Sequence, residues 1–318
     1  MPDFDPGFFK QVRGTRHEFL ELIKQWRPEL HRFCRGLTGN VWDAEDLLQD
    51  TLLKAFAKLG DVHWDVDRPR AYLFRMATNL WIDRVRARRA AVPLDSATEP
   101  AAEPAVHTPP LPIEVREAIR DLAAALPPVE RTAVLLKDIF DFSLDETAAY
   151  MRTTVGAVKA ALHRGREKLT ARAKLPQIAP PTNAPEPKLL DAWCEAFNRR
   201  DMDALLGLMR EDAEAEVVGR VQEYGREQIK KGSLGHTVVE EGAPSAERVV
   251  FKGEPLVVLW YTVQEDGAPK RYVRDVLRFA QDGDSLASLR YFYFCPETLA
   301  EICTELGLPL RDNGYWFK

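Results

Sequence analysis

The stretch from 127 to 169 constrains this chain more than any other, because three short amphipathic segments follow one another at helix-turn-helix spacing. Pro127-Pro128, entered from Leu126, open the first segment, whose apolar side is Val134, Leu135 and Ile139. Ser143, with Glu146 three residues on, forms a capping box for the second, in which Leu144, Ala148 and Met151 turn inward. After Arg152-Thr153-Thr154 the third segment places Val155, Val158, Leu162 and Leu169 at helical spacing. Lys159, His163, Arg164, Arg166 and Lys168 fall between those positions and are expected to face outward. Such a helix fits the major groove of DNA, its first turns at the bases and its cations on phosphate. A three-helix bundle with a solvated basic face shares the periodicity, but not the turn, cap and charge together.

A chain of 318 residues suggests two or three domains, and 45% apolar content is normal for folded protein. The sequence holds no run of 18 uncharged apolar residues and no hydrophobic signal core at its N-terminus, so a cytoplasmic protein without a membrane span is expected. Cys34, Cys194, Cys295 and Cys303 are scattered, which favours reduced, buried thiols. His31 and Cys34 have helical ligand spacing, yet no second pair accompanies them, and neither a metal nor a cofactor is expected. The net charge of -5 conceals an asymmetry. Residues 1–92 carry 16 Lys and Arg against 13 Asp and Glu, and 115–175 carry 11 against 8, whereas 176–318 carry 17 against 24. A weakly basic front and an acidic rear separate a nucleic-acid-binding part from something else.

Two proline-rich stretches divide the chain. Residues 93–112 hold six prolines and no periodic apolar face, and read as a semi-extended linker; 176–187 form a shorter one. The modules are then 1–92, 113–175 and 188–318. The first is helical by pattern. Phe19, Leu22, Ile23, Trp26, Leu30 and Phe33 make one stripe across Pro28; Leu47, Leu48, Leu52 and Phe56 make a second. A third helix after Pro69 ends in Arg84, Arg86, Arg88 and Arg89.

The string DAEDLLQDTLLKAF followed by AYLFRMATNLWIDRVRARR resembles region two of extracytoplasmic-function (ECF) bacterial sigma factors, and the stretch from Leu126 to Leu169 resembles region four. Together the two matches cover about the first 175 residues, in the family's order and joined by a variable linker. The resemblance implies that an acidic helix with Asp43, Glu45, Asp46, Gln49 and Asp50 docks on the clamp helices of core RNA polymerase, where its charges steer association. It implies a minus-ten promoter site on the next helix, with Asn79 reading an extruded base and Trp81, Tyr72 or Trp64 stacking on it. Arg84, Arg86, Arg88 and Arg89 would hold phosphate. Thr153, Thr154, Gly156, Lys159, Ala160, His163, Arg164 and Arg166 would read the minus-thirty-five element, Gly156 and Ala157 allowing close approach. Part of region four would meet the polymerase flap.

In the acidic module, helical KLLDAWCEAFNRRDMDALLGLMR precedes a helix in EYGREQIKKG and four strand-like runs, with turns at Asp266-Gly267 and Asp282-Gly283. Helices followed by a curved antiparallel sheet read as α+β. The order and the opening AWCEAFNRRDMDALLGLMREDAEAEV resemble the SnoaL-like, nuclear-transport-factor-two-like cone fold. Such cones enclose a pocket. Tyr224, Trp260, Asp275 and Tyr291 are the candidate lining, with Tyr272 and Tyr293 beside them. No base is paired with a partner there, so no catalytic residue is assigned. Leu299, Ile302, Cys303 and Leu306 form the apolar side of a last helix, expected to pack on the sigma core.

The resulting expectation is a multidomain chain with two all-α sigma domains, a helical bundle and a helix-turn-helix, followed by an α+β cone. It would bind core polymerase and promoter DNA, with the cone modulating it by intramolecular contact, under an unidentified small ligand if the pocket is used. The competing reading is a helix-turn-helix regulator with a ligand-binding or catalytic SnoaL-like domain. The DAEDLLQD segment argues against it, because such a regulator has no need of that segment.

Overall fold

Gly39 takes the left-handed conformation (φ 84°) that ends helix α1 (Arg27–Thr38), and Asn40 at once caps α2 (Val41–Ala57). The Asn40 side chain accepts the Asp43 amide at 2.8 Å, so the chain turns from one helix to the next within two residues. The computed structural model describes residues 18–58, 68–90, 126–171, 184–239, 244–265 and 267–311, and the side chains of 89, 90, 170 and 171 are left out. The linker at 93–112, most of that at 176–187, Trp64 and the residues after 311 lie outside them.

The stripe expected to run unbroken across Pro28 is two helices. A helical segment at 18–23 ends in a turn at 24–26, and Pro28 sits in the first turn of α1, where its missing N–H removes no hydrogen bond. Leu22 is left exposed by that break. Helix α3 (Pro69–Ala90) completes the first bundle. Helix α4 (Pro128–Val134) runs on into a π-helical turn at Leu135–Ile139. There Phe140 N–H reaches back five residues to Leu135 O, and Phe142 N–H six to Leu136 O. Helices α5 (Leu144–Met151) and α6 (Val155–Ala171) follow.

The chain divides into two compact units, Met1–Gln177 and Ile178–Lys318. In the first, the two helical modules share one core. Phe33 stacks on Phe74 with ring centroids 4.8 Å apart, and Phe140 meets both edge-on at 5.3 and 5.1 Å. Phe142 lies 5.2 Å from Phe74. Arg70 reinforces the junction: it grips Glu29 with two hydrogen bonds, donates to Phe140 O at 3.1 Å and lies over the Phe74 and Phe142 rings. Arg131 donates to Leu37 O at 2.6 Å from the other side.

In the second unit, α7 (Pro187–Asn198) and α8 (Met202–Gly207) precede a six-stranded sheet ordered β2-β1-β6-β5-β4-β3. The strands are β1 (Met209–Val217), β2 (Val221–Tyr224), β3 (Ser245–Phe251), β4 (Glu254–Glu265), β5 (Ala268–Asp282) and β6 (Ser285–Tyr291). Short helices α9 (Arg226–Lys231) and α10 (Ser233–Val239) separate β2 from β3, and α11 (Pro296–Leu306) ends the unit. The sheet is not wholly antiparallel as expected: β1 pairs with β6 in parallel, because the chain returns to β1 only after the other strands have been laid down. Along β4, Val257, Leu259 and Tyr261 join the core of Trp193, Phe197 and Phe279, while Leu256 and Val258 are buried between them. Both faces are therefore covered, and the strand reads as a nearly unbroken apolar run. The last helix covers its own module rather than a sigma core. It lies against β3 and β5, with Lys252 bridging to Glu301 and Glu305.

Candidate nucleic-acid interface

Burial along α2 leaves Asp43, Asp46, Gln49 and Asp50 on one side, above a packed row of Leu47, Leu48 and Leu52. Glu45 does not belong to that face. It is fully buried, accepting from Arg27 at 3.1 Å and from Gln49 at 2.7 Å, with His31 Nε2 at 3.7 Å. Its spacing from Val41, Leu48 and Leu52 puts it in the apolar stripe, where a carboxylate survives only with such partners.

The acidic face of α2 adjoins the arginines of α3. Arg84 pairs with Asp50 at 2.5 Å and Arg88 approaches Asp43 at 4.0 Å. Arg86 lies 3.9 Å from Asp83, and the Arg89 side chain is outside the described residues. The two rows assigned to different partners thus neutralise each other in the free chain.

Asn79 lies on α3 in a cleft of about 460 Å³. Its side-chain oxygen is buried and has no hydrogen-bond partner. Lys54, Lys58, Arg75 and Arg152 line the same cleft with Tyr72, against the single acid Asp83. This arrangement offers an amide, an aromatic face and excess positive charge, the requirements for holding an unstacked base and its phosphate. Trp81 is not part of it: the ring is buried in the core and its Nε1 has no hydrogen bond. Sequence reading missed the four cations. Tyr72, Arg75, Met76 and Asn79 recur at three and four, and Lys54 and Lys58 at four, so the face was there to be found. Arg152 was not legible in this role. It ends α5 in the left-handed conformation (φ 53°) and reaches Asp83 at 3.6 Å because α5 packs on α3.

The capping box forms as expected. Ser143 Oγ accepts Glu146 N–H and Glu146 accepts Ser143 N–H, which holds the Glu146 carboxyl below the ordinary glutamate range. Thr154 Oγ1 accepts Ala157 N–H at the start of α6. Thr153, Thr154, Gly156, Ala157 and His163 are exposed, while Lys159 and Ala160 are half-buried. A Cβ on Gly156 would meet only Thr154 Oγ1, at 3.9 Å, so its small size serves nothing inside the fold. Gly165 differs: a Cβ there would come within 2.8 Å of Val134, since α6 crosses α4 at that point.

Arg164 and Arg166 do not face outward as expected. Arg164 and Lys168 both bind Glu130, at 2.9 and 2.6 Å, and Arg166 forks onto Asp138 at 2.6 and 3.0 Å. These pairs clamp the recognition helix to α4 and the π-turn. The exposed reading surface contracts to the first two turns of α6.

Of the four residues expected around a cavity in the second unit, two are placed there. Asp275 and Tyr291 line a cavity of about 790 Å³. Tyr224 is on the outer face of β2, exposed and donating to Gln222, because alternation gives the inner position to Glu223. Trp260 lies outside the lining, its ring under the Arg271 guanidinium at 4.6 Å. Among the described residues no group of three His, Cys, Asp or Glu is placed to hold a metal ion, and no helix is long and apolar enough to cross a membrane.

Residues 22–91 match the family model for Sigma-70 region 2, and 116–169 that for Sigma-70, region 4. The ECF RNA polymerase sigma factor SigW of Bacillus subtilis is 30% identical over 177 residues, covering 50% of this chain and 91% of that protein. The solved structure of the Mycobacterium tuberculosis extracytoplasmic function sigma factor SigJ is 18% identical, covering 86% of this chain and 95% of that one, with a TM-score of 0.32. A protein from Catenulispora acidiphila with a ketosteroid isomerase-like fold is 18% identical, covering 42% and 100%, with a TM-score of 0.28.

Proposed function

The chain belongs to the extracytoplasmic-function family of RNA polymerase sigma factors, and from that premise we propose how its parts divide the work of initiation. It binds core polymerase and directs it to promoters, and it is a recognition protein rather than an enzyme. Asp43, Asp46, Gln49 and Asp50 meet the clamp helices of polymerase in the cytoplasm. The Asn79 cleft takes a base flipped out of the minus-ten element, with Lys54, Lys58 and Arg75 on its phosphates. Thr153, Thr154, Gly156, Lys159 and His163 read the minus-thirty-five element. Arg152 and Ala149 of the helix-turn-helix line the cleft in the free chain, so promoter entry displaces them. The C-terminal module, in the SnoaL-like part of the chain, modulates this activity.

The observation that carries the reading is the buried, unpartnered amide oxygen of Asn79 at the foot of a cationic cleft. Run-off transcription with bacterial core polymerase tests it, comparing the parent chain, Asn79→Ala and a chain ending at residue 177. The parent should give promoter-dependent transcripts. Asn79→Ala should lose them by about tenfold or more, the worth of a base contact, with polymerase binding unchanged. Equal transcripts from parent and variant would discard the cleft as the base site. A chain ending at 177 that matches the parent would discard the modulating role of the second unit.

A further inference from the structure

The cavity of the second unit opens between β2, α10 and the inner face of the sheet, and its size is that of a small-molecule site. Val217, Tyr261, Tyr293 and Phe294 supply apolar wall. Val221 and Val239 line it too, yet are 47% and 77% exposed, so two large apolar side chains stand in solvent at its mouth. The polar groups are few and fixed. Glu223 is buried and accepts Ser233 N–H at 2.8 Å and Ser233 O–H at 2.7 Å. Gly232 permits this, since a Cβ there would fall 1.9 Å from the Glu223 carboxylate. Asp275, also buried, accepts the amides of Val276 and Phe292 at 2.7 and 3.0 Å. Two carboxylates held by hydrogen bonds to their ionised form make the wall anionic.

Tyr291 differs from these neighbours. Its side chain is almost wholly buried, and its hydroxyl makes no hydrogen bond of ordinary geometry. Burial pushes the phenol well above its ordinary range, against a smaller pull from the nearby Ser233 and Thr237 hydroxyls, so the group stays a neutral donor. Buried hydroxyls are nearly always paired, and one that lines a cavity without a partner is a place for an acceptor from outside.

We propose that this cavity binds an uncharged, mostly apolar small molecule whose carbonyl or other lone-pair group accepts from the Tyr291 hydroxyl. The apolar wall and rim take the body of the molecule. Glu223 and Asp275 turn away carboxylates, phosphates and sulfonates, and neither Arg220 nor His236 is placed to offset them. Arg220 lies over the Phe294 ring at 4.4 Å, and His236 is exposed. That such binding alters transcription rests on the modulation proposed above; the binding itself does not.

The test titrates the full chain with two naphthalene probes. One is 6-propionyl-2-dimethylaminonaphthalene, a neutral ketone, and the other is the anionic 1-anilinonaphthalene-8-sulfonate. The ketone should bind at one site with blue-shifted emission, at least tenfold more tightly than the sulfonate. Tyr291→Phe should weaken it about five- to tenfold, the worth of one hydrogen bond. Val239→Glu, an exposed change at the mouth that the fold tolerates, should weaken it as well. Absence of a saturable ketone site would overturn the proposal, as would equal binding of the sulfonate or an affinity indifferent to both variants. Run-off transcription with saturating ketone separates the two readings. Tyr291-dependent binding without a change in transcripts keeps the site and removes its regulatory use. Modulation lost on ending the chain at 177, without Tyr291-dependent binding, keeps the modulation and removes the site.

Discussion

The two units bury their apolar residues to opposite ends. In the first, Phe33, Phe74, Phe140 and Phe142 fill the space between two modules and leave it solid, with polar groups turned to large partners outside. In the second, a sheet covered on both faces still encloses about 790 Å³, lined by Glu223, Asp275 and Tyr291. A filled core fixes how two helical modules face one another. A hollow one leaves a place for something small. The cost of an apolar truncation should therefore be large and widely felt in the first unit, whereas removing a polar atom from the cavity should be nearly free.

The largest effect expected is that of Phe74→Ala, at about 3–5 kcal/mol. Hydrogen exchange followed by segment should quicken in α1–α3 and α4–α6 together and stay unchanged in β1–β6. A response confined to α1–α3 would mean the shared core does not couple the two modules. Next comes Glu130→Gln, which loosens the hold of α4 on Arg164 and Lys168 and should cost about 1–2 kcal/mol in the same measurement on α6. Tyr291→Phe sharpens the contrast from the other side. Because the hydroxyl it removes has no partner, thermal unfolding of the unliganded chain should be unchanged or raised by up to about 1 kcal/mol. A clear loss of stability would show that the hydroxyl is satisfied in solution.

The smallest effect is a pH dependence at the capping box. The Glu146 carboxyl is lowered in the folded chain by its hydrogen bonds to Ser143, so its contribution is complete above the ordinary glutamate range. It is lost as the pH falls from that range through the lowered value. The group is largely exposed, which limits the change to a few tenths of a kcal/mol, and Ser143→Ala should abolish it.

What the sequence disclosed depended on how local the cause was. The capping box at Ser143 and Glu146 is a three-residue pattern, and its geometry follows from the spacing alone. The strand runs of β3 to β6 were visible for the same reason. Arg164 and Arg166 were read as outward-facing because periodicity says only which residues are not in the stripe; it does not say that Glu130 and Asp138 stand opposite. Glu45 was misjudged through its company, an acid among acids, although its place in the Val41–Leu48–Leu52 row was legible. The parallel pairing of β1 with β6 joins segments about 75 residues apart, and no local signal carries it. The Asn79 cleft was half-visible: one face belongs to α3, and the other is supplied by a packing of α5 that only the folded chain contains.

The π-turn at Leu135–Ile139 makes this part of the chain intolerant of changes in length. Its wide hydrogen bonds accommodate one residue more than an even helix would. Removing a single residue there would let the turn close into ordinary helix, and everything after it would rotate by about 100° about the helix axis. Phe140 would leave the aromatic junction, and Asp138 would swing away from Arg166. A one-codon deletion at this point should therefore do more harm than most substitutions in the same five residues, while deletions in the proline-rich stretch at 93–112 should pass almost unnoticed.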